Sequence, residues 1–425
     1  MAKQKFQPFD PAAIAMGAHK AIGSDDTAIV GIPIPSLAAQ FLFNSTVLPL
    51  GKMIEIFGPA GAGKSTFLYE IMRWFMDAGG LVYLGETEQK DSVNIRWAVN
   101  KYDAAKMDNF NSSYDTTFEK WSSNLVKSIQ SYDSLMETYG PTFPVLFAID
   151  AVTSVETEKT IEEYAKDGTI NVAYSPLSRN LATLLRELPS LYAKKPYLIA
   201  FVNHVKDKIG AMPFTDAKTL PGGKALYFGC HVIIGLSQVK TEIKDGVTTE
   251  EKELKLEKSG IQQKKTAISV PLKYYTTPDP SNPDMKVQQI EWDWNTADIN
   301  FLNDYVNGTG LFRKMEKADE DRKRLSEVID LNPTRASRKL AYWSDALGVP
   351  ESDPLLPAEM GAILHQNAEV MQKLQGMLIT TTGIGFSAGQ NYTDVVEEAT
   401  ALQKERYRRI SDSLYKQNII NQMEE

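Results

Sequence analysis

The chain holds a single cysteine, Cys230, and only four histidines. An internal disulfide is excluded, as is a cysteine-rich zinc site, and a histidine-rich metal centre is disfavoured. No apolar run approaches the roughly 18 residues of a membrane-spanning helix. The stretch Met1 to Pro8 is polar and has no secretory-leader pattern. Positive charge is not in excess: 46 Lys and Arg stand against 54 Asp and Glu, a net charge of −8. A nucleic-acid partner would have to be met by basic groups gathered in one groove or loop. No internal repeat is present. What remains is an ordinary globular composition, long enough for one large core with an appendage or for two domains. The expected setting is a reducing, cytoplasmic compartment without membrane contact.

Against that background one segment is distinctive. Residues 58–66 read Gly58-Pro59-Ala60-Gly61-Ala62-Gly63-Lys64-Ser65-Thr66, a full G-x-x-x-x-G-K-[ST] phosphate loop. An apolar run, Met53 to Phe57, precedes it and a helix-like run, Phe67 to Phe75, follows, the strand–loop–helix setting the motif requires. The glycines let backbone N–H groups turn toward phosphate oxygens, and the helix start adds positive partial charge. Lys64 is expected to reach the β- and γ-phosphates of a nucleoside triphosphate, and Ser65 to ligate the metal.

Around the loop, strand-like and helix-like segments alternate: strand 53–57, helix 65–77, strand 81–85, a helix near 91–102, strand 145–149, helix 176–193 and strand 197–202. This predicts an α/β fold with a mostly parallel central sheet covered on both faces. Segments 230–237, 251–257, 266–275 and 286–294 read as an antiparallel extension. Upstream, residues 1–28 form an N-terminal arm with a helix-like stretch, Pro11 to Ala21. Residues 29–300 form the core. Composition shifts near 300, and 301–425 read as a helix-rich C-terminal region, with pieces at 313–330, 335–347, 357–378 and 393–420.

Three strand ends carry further chemistry. Val145 to Ile149 ends in Asp150, which beside a phosphate loop is expected near a magnesium ion. Leu81 to Leu84 is followed by Glu86-Thr87-Glu88; hydrolysis needs a carboxylate to orient water, and Glu88 is the better candidate with Glu86 in reserve, a solvated acidic turn being the other reading. Pro196 to Val202 ends in Asn203-His204, either a γ-phosphate sensor or a hydrogen-bonded strand-end histidine. The loop after it, 206–224, carries Lys206, Lys208, Lys218 and Lys224, the apolar Ile209, Met212 and Phe214, and Gly210, Gly222 and Gly223. Lysines there can pair with phosphates and apolar side chains can wedge between bases. An ordinary solvated loop is the alternative, although structureless loops of this length are more often functional or disordered.

Taken together these motifs resemble RecA-type recombinases over roughly residues 30–275. Leu48 through Thr66 looks like the entry to the family's ATPase core. Glu86-Thr87-Glu88 resembles its acidic-small-Glu element, whose last Glu is the catalytic carboxylate, and Asp150 falls on the Walker B aspartate. Asn203-His204 matches its sensor, with His in the second position as in phage recombinases of the UvsX type. Lys208-Ile209-Gly210-x-Met212, Thr219, Gly222-Gly223 and Ala225-Leu226-x-Phe228 resemble its second DNA-binding loop and the element after it. Ile161 to Asn171 falls at the first DNA-binding loop. Arg179 and Arg186 match family arginines, Arg186 being the candidate for DNA phosphate unless it is a solvated helix-face residue. Lys258 matches the first of two lysines that reach a neighbouring subunit's nucleotide, unless it is a solvated strand-end lysine; the second falls on Gly260, a departure for which either Lys264 or Lys265 substitutes or a single cation acts.

The resemblance implies a RecA-like P-loop ATPase core with a helical C-terminal domain, using ATP and Mg²⁺. It implies a DNA-dependent ATPase forming helical filaments on single-stranded DNA and pairing it with homologous duplex DNA. Glu88, Lys64, Lys258 and His204 would be catalytic, and a loader or single-strand-binding protein is a candidate accessory. The location would be the nucleoid or a phage replication site. Two other readings stay open: a hexameric helicase on the same fold, against which the short N-terminus argues, and a DNA-coating scaffold filament with negligible turnover. Basic clusters at Arg322-Lys323-Arg324, Arg335/Arg338/Lys339 and 404–409 are either duplex contacts or solvated helix faces.

Overall fold

The structure is a computed structural model that describes residues 30–88, 109–139, 144–152, 154–167, 176–192, 195–207, 218–219, 225–259, 266–279, 282–307, 318–381 and 390–391. The expected helices at Pro11–Ala21, 91–102 and 393–420 lie outside the described residues.

Strand β1 (Val30–Pro33), helix α1 (Leu37–Phe43) and strand β2 (Val47–Pro49) lead in. Ser36 caps α1 by accepting from the Ala39 N–H, and Asn44 ends it at a left-handed φ of 55°. The alternating part follows: β3 (Lys52–Gly58), α2 (Lys64–Asp77), β4 (Leu81–Glu86), β5 (Phe110–Tyr114), α3 (Phe118–Tyr139), β6 (Val145–Asp150), α4 (Glu158–Asp167), α5 (Pro176–Tyr192) and β7 (Tyr197–His204). A two-stranded ribbon, β8 (Lys206–Asp207) with β9 (Lys218–Thr219), leads to the short helix α6 (Ala225–Gly229). Four long strands come next: β10 (Val232–Lys244), β11 (Val247–Ser259), β12 (Ala267–Asp279) and β13 (Asn282–Trp292). The chain continues through α7 (Trp294–Asn307), α8 (Ala318–Val328), β14 (Asn332–Ala336), β15 (Lys339–Trp343), α9 (Pro357–Gln366), α10 (Ala368–Thr381) and β16 (Gln390–Asn391).

The central sheet has nine strands in the order β13-β12-β11-β10-β3-β7-β6-β4-β5. From β10 to β5 every neighbouring pair is parallel, and β11 to β13 extend the sheet antiparallel. The inner parallel strands β3, β7, β6 and β4 are mostly apolar on both faces, as burial under helices on both sides demands, while the edge strand β5 is polar and partly exposed. Ile54, Ile56, Leu146, Ala148, Leu198, Ala200 and Val202 face one cluster with α1, α2 and α7. The alternate residues Met53, Val145, Phe147, Ile149, Tyr197, Ile199 and Phe201 face a second cluster under α3 and α5. Leu325, Tyr342, Met360, Leu364 and Leu374 join the first cluster, so the C-terminal elements pack on the same side as α2.

Two expectations give way here. Residues 335–347 are not helical: β14 and β15 form a hairpin turning at Ser337, whose φ is 61°, and Pro333, with no N–H to donate, fits an extended strand. The helix expected over 357–378 is two, broken at Asn367, whose side chain caps α10 through the Val370 N–H. No helix among the described residues is long and apolar enough to cross a membrane.

Candidate active site

The sheet register brings the chemistry together. Gly58 pairs with His204 across β3 and β7, and Glu86 pairs with Asp150 across β4 and β6. The carboxyl ends of four neighbouring parallel strands thus converge, the usual ligand position in open α/β sheets. The Val205 N–H donates to the Gly58 carbonyl at 3.1 Å, joining the end of the His204 strand to the start of the phosphate loop.

The phosphate loop is wound tightly. Gly61 and Gly63 have φ of 73° and 90°, a region that side-chain-bearing residues rarely adopt. Gly63 is the N-cap of α2, and its carbonyl accepts from the Thr66 hydroxyl at 2.9 Å. Lys64 is buried, and its ammonium donates to the Pro59 carbonyl at 2.7 Å.

Beside the loop, the Glu86-Thr87-Glu88 turn is fixed to the end of β6. The Thr87 N–H donates to the Asp150 carbonyl, and the Thr87 hydroxyl contacts both the Ala151 carbonyl and the Ala151 N–H at 2.8 Å. Glu86 accepts from the Glu88 N–H at 2.9 Å. Glu88 Oε1 lies 2.6 Å from His204 Nε2 and accepts from the Ser154 hydroxyl at 2.6 Å. Both side chains are partly open to solvent. Glu88 and His204, assigned separately from the sequence, are therefore one hydrogen-bonded pair.

Tyr69, one helical turn after Ser65, is buried near the same carboxylates. Burial first, and then the Asp150, Glu86 and Glu88 charges, push its phenol well above the ordinary tyrosine range. Ser65, Asp150 and Glu86 offer only oxygen donors around the loop, the chemistry that magnesium takes. This donor set fits that ion and no soft metal.

Lys258 lies elsewhere. Its ammonium donates to the carbonyls of Tyr227 at 2.6 Å and Cys230 at 2.8 Å, capping the end of α6, and sits 5.3 Å from the Tyr227 ring centre. It does not join this chain's own phosphate loop. Arg186 is exposed on α5 and folds back onto its own helix, with Nε donating to the Ala182 carbonyl at 3.2 Å. Of the loop candidates, Lys206 and Lys218 fall on the ribbon, in the pairs Lys206↔Thr219 and Asp207↔Lys218. Lys208, Ile209, Gly210, Met212, Phe214, Gly222 and Gly223 lie outside the described residues. Ile161 to Asp167, expected in a loop, are helical within α4.

Ser154, Tyr69 and Lys252 are not among the residues the sequence motifs single out, and Thr87 enters there only as the middle of Glu86-Thr87-Glu88. Lys252 is fully buried, and its ammonium donates to the Gly61 carbonyl. Its signal was available: Lys252, Leu254 and Leu256 alternate on one strand face. So was that of Tyr69, four residues after Ser65. Ser154 offered none.

A family model described as the RecA N-terminal domain matches residues 13–277. Among curated relatives, Protein RecA of Rhodopirellula baltica is 24 % identical over 237 residues, 56 % of this chain and 56 % of that one. Protein RecA of Acholeplasma laidlawii is 25 % identical over 249 residues, 58 % of this chain and 67 % of that protein. A mitochondrial DNA repair protein recA homolog of Dictyostelium discoideum is 26 % identical over 210 residues, 49 % of this chain and 42 % of its own length. The chain thus spans little more than half the length of the first of these relatives.

Proposed function

This chain belongs to the RecA N-terminal domain family, and on that premise we propose that it is an ATP-dependent DNA recombinase. In this reading it assembles as a helical filament on single-stranded DNA and promotes pairing with a homologous duplex. The observation that carries the reading is the 2.6 Å contact between Glu88 and His204. It joins a carboxylate suited to orienting water to the strand end that opens, two residues later, into the β8–β9 ribbon.

ATP phosphates would lie against residues 59–66. Lys64 would exchange the Pro59 carbonyl for β- and γ-phosphate oxygens. Glu88 would orient a water in line with the γ-phosphorus. It would take one proton as the new P–O bond forms and the bond to the β-phosphate's bridging oxygen breaks. Magnesium, held by the Ser65 hydroxyl and the Asp150 carboxylate, would neutralise phosphate charge. His204, in contact with Glu88, would feel the γ-phosphate and order the loop 205–224 over DNA, and hydrolysis would remove that contact and loosen DNA, an order–disorder switch. Lysines on that segment would meet DNA phosphates, so affinity should fall steeply with salt.

Lys258 would act on the next protomer's nucleotide. Tyr227 and Phe228 beside it, 45 % and 70 % exposed, offer an apolar contact surface for that neighbour. The UvsX-type assignment rests on His204 alone. The test measures ATP turnover by the whole chain with and without oligo-dT, and images the same samples by negative stain. DNA-stimulated turnover with filaments supports the reading. Turnover indifferent to DNA, with no gain in oligo-dT affinity on a slowly cleaved ATP analogue, overturns it.

A further inference from the structure

Lys252 stands in the middle of β11 and is completely shielded from solvent, yet its neighbours on that strand face, Leu254 and Leu256, are apolar core residues. A buried ammonium carries a desolvation cost of several kcal/mol, and apolar replacements of buried charges are often neutral or stabilising. The fold alone therefore gives no reason for a lysine here. The surroundings do give one. The three protons of the ammonium find three acceptors: the Gly61 carbonyl at 2.8 Å, the Glu250 carboxylate at 2.7 Å and the Gln238 side-chain carbonyl at 3.3 Å. Glu250 is in turn held by the Tyr274 hydroxyl at 3.0 Å. The first acceptor lies in the phosphate loop itself.

We propose that Lys252 is a positioning residue for the nucleotide, drawing the Gly61 carbonyl away from the phosphate cradle and placing a fixed positive charge behind it. Gly61 has a left-handed φ of 73°, and a side chain built at that position meets nothing within 4 Å; the peptide that carries its carbonyl is held at the other end by the Ala62 N–H, which donates to the Pro59 carbonyl at 3.3 Å, and Lys252 adds the contact at the carbonyl end. A loop free to rotate there would present a carbonyl oxygen to phosphate oxygens, which repel it. The ammonium removes that orientation. Its charge adds to those of Lys64 and the α2 N-terminus, and Glu250 tempers it. Because the group is buried, ionic strength should screen its contribution little.

This inference rests on the reading of residues 58–66 as a nucleotide site. The experiment compares the full-length chain with Lys252→Met and Glu250→Gln, using MgADP as the ligand in calorimetry at low and high salt. Melting without nucleotide and ATP turnover are followed in parallel. Lys252→Met should weaken MgADP binding about tenfold or more, the usual worth of a hydrogen bond from a charged donor. The loss should be equal at both salt concentrations, with KM for ATP raised and kcat held. Glu250→Gln keeps the Gly61 contact and lifts the opposing charge, so it should bind MgADP at least as tightly as the unaltered chain even where its melting temperature falls. A purely structural role moves melting and leaves affinity alone. Unchanged affinity in folded Lys252→Met overturns the proposal. So does weakened affinity in Glu250→Gln, which decides the matter should Lys252→Met fail to fold. Failure of the unaltered chain to bind MgADP overturns the nucleotide-site reading, and this proposal falls with it.

Discussion

The two halves of the central sheet place polar chemistry differently. In the parallel half, strands β3, β4, β6 and β7 are buried nearly end to end, and the candidate site groups stand where each strand stops: Gly58, Glu86, Asp150 and His204, with Glu55 of β3 as a buried carboxyl in mid-strand. In the antiparallel half, β10 and β11 run 13 residues each; β10 carries charge from Lys240 onward and β11 through most of its length, including Lys252 in mid-strand and Lys258 near the end. The reason is coverage. Helices on both faces disfavour charge inside the parallel strands, where burial raises the pKa of the one mid-strand carboxyl, Glu55, whereas the outer parts of β10 and β11 reach solvent and bear charge, and Lys252 further in is met by partners. The first half is thereby suited to assembling a site within one protomer. The second is suited to delivering cations to it, from behind through Lys252 and, in the proposed filament, to a neighbour through Lys258.

The largest expected effect breaks the second part of that division. Lys258→Gln keeps N–H donors for the Tyr227 and Cys230 carbonyls but removes the charge. If Lys258 acts across the subunit boundary as a finger residue does, DNA-stimulated turnover should fall by about 10³-fold or more. MgADP affinity of the dilute chain should hold. Mixing this variant with Lys64→Ala, which cannot use ATP but carries an intact Lys258, should restore part of the turnover; mixtures as inactive as the variant alone place Lys258 in a structural role. Next comes Glu88→Gln in the parallel half. Turnover should fall by about 10²- to 10⁴-fold, the usual worth of a positioned general base, with ATP and oligo-dT still bound. Rapid turnover by Glu88→Gln removes that residue from the role.

The same contrast decides what could be read from sequence. The parallel strands were legible because burial on both faces writes them as unbroken apolar runs such as Val145 to Ile149. The phosphate loop was legible because its geometry demands glycines. The outer halves of β10 and β11 were not, since Gln238 to Lys244 are mostly exposed and read as a polar loop. Their one local signal was Asp245-Gly246, both at positive φ, a turn pair that closes a two-residue hairpin. The pairing of Glu88 with His204 was illegible for another reason. The residues are 116 positions apart, and only the strand order sets them side by side. Residues 335–347 misled because their scattered apolar residues fit a helical pattern, while Pro333 and the tight turn at Ser337 favour a hairpin.

A smaller effect tests how the halves are joined. Asp298 of α7, which follows the antiparallel half, is fully buried. It accepts from the Ser36 hydroxyl at 2.6 Å and from the Leu37 and Ala38 N–H groups at the start of α1, ahead of the parallel half. His365 of α9 lies 2.7 Å from the same carboxylate. Asp298→Asn turns an amide N–H toward at least one of these donors. Unfolding free energy in urea should drop by about 3 kcal/mol, with MgADP affinity of the folded protein little changed. An unaltered denaturation midpoint means that α1 and α7 do not depend on this carboxylate.

The smallest expected effect has a defined sign in pH and sits on the strand where the halves meet. Glu55 is fully buried on β3, beside Phe201 of β7 on one side and Ile233 of β10 on the other. Burial raises its carboxyl pKa, while the Asn203 side-chain N–H, 2.9 Å from Oε1, and the Lys258 charge pull it down. The folded pKa therefore lies above the unfolded one. The folded state binds the proton more tightly, so Glu55 contributes most below its unfolded pKa, and the contribution fades as pH rises through the folded value. Glu55→Gln keeps an acceptor for Asn203 and never ionises. The variant should be more stable than the unaltered chain at neutral pH, with the advantage shrinking as the buffer is acidified through the carboxylate range. An advantage that grows on acidification would mean that Asn203 and Lys258 outweigh burial, and that the boundary between the halves holds its charge by pairing.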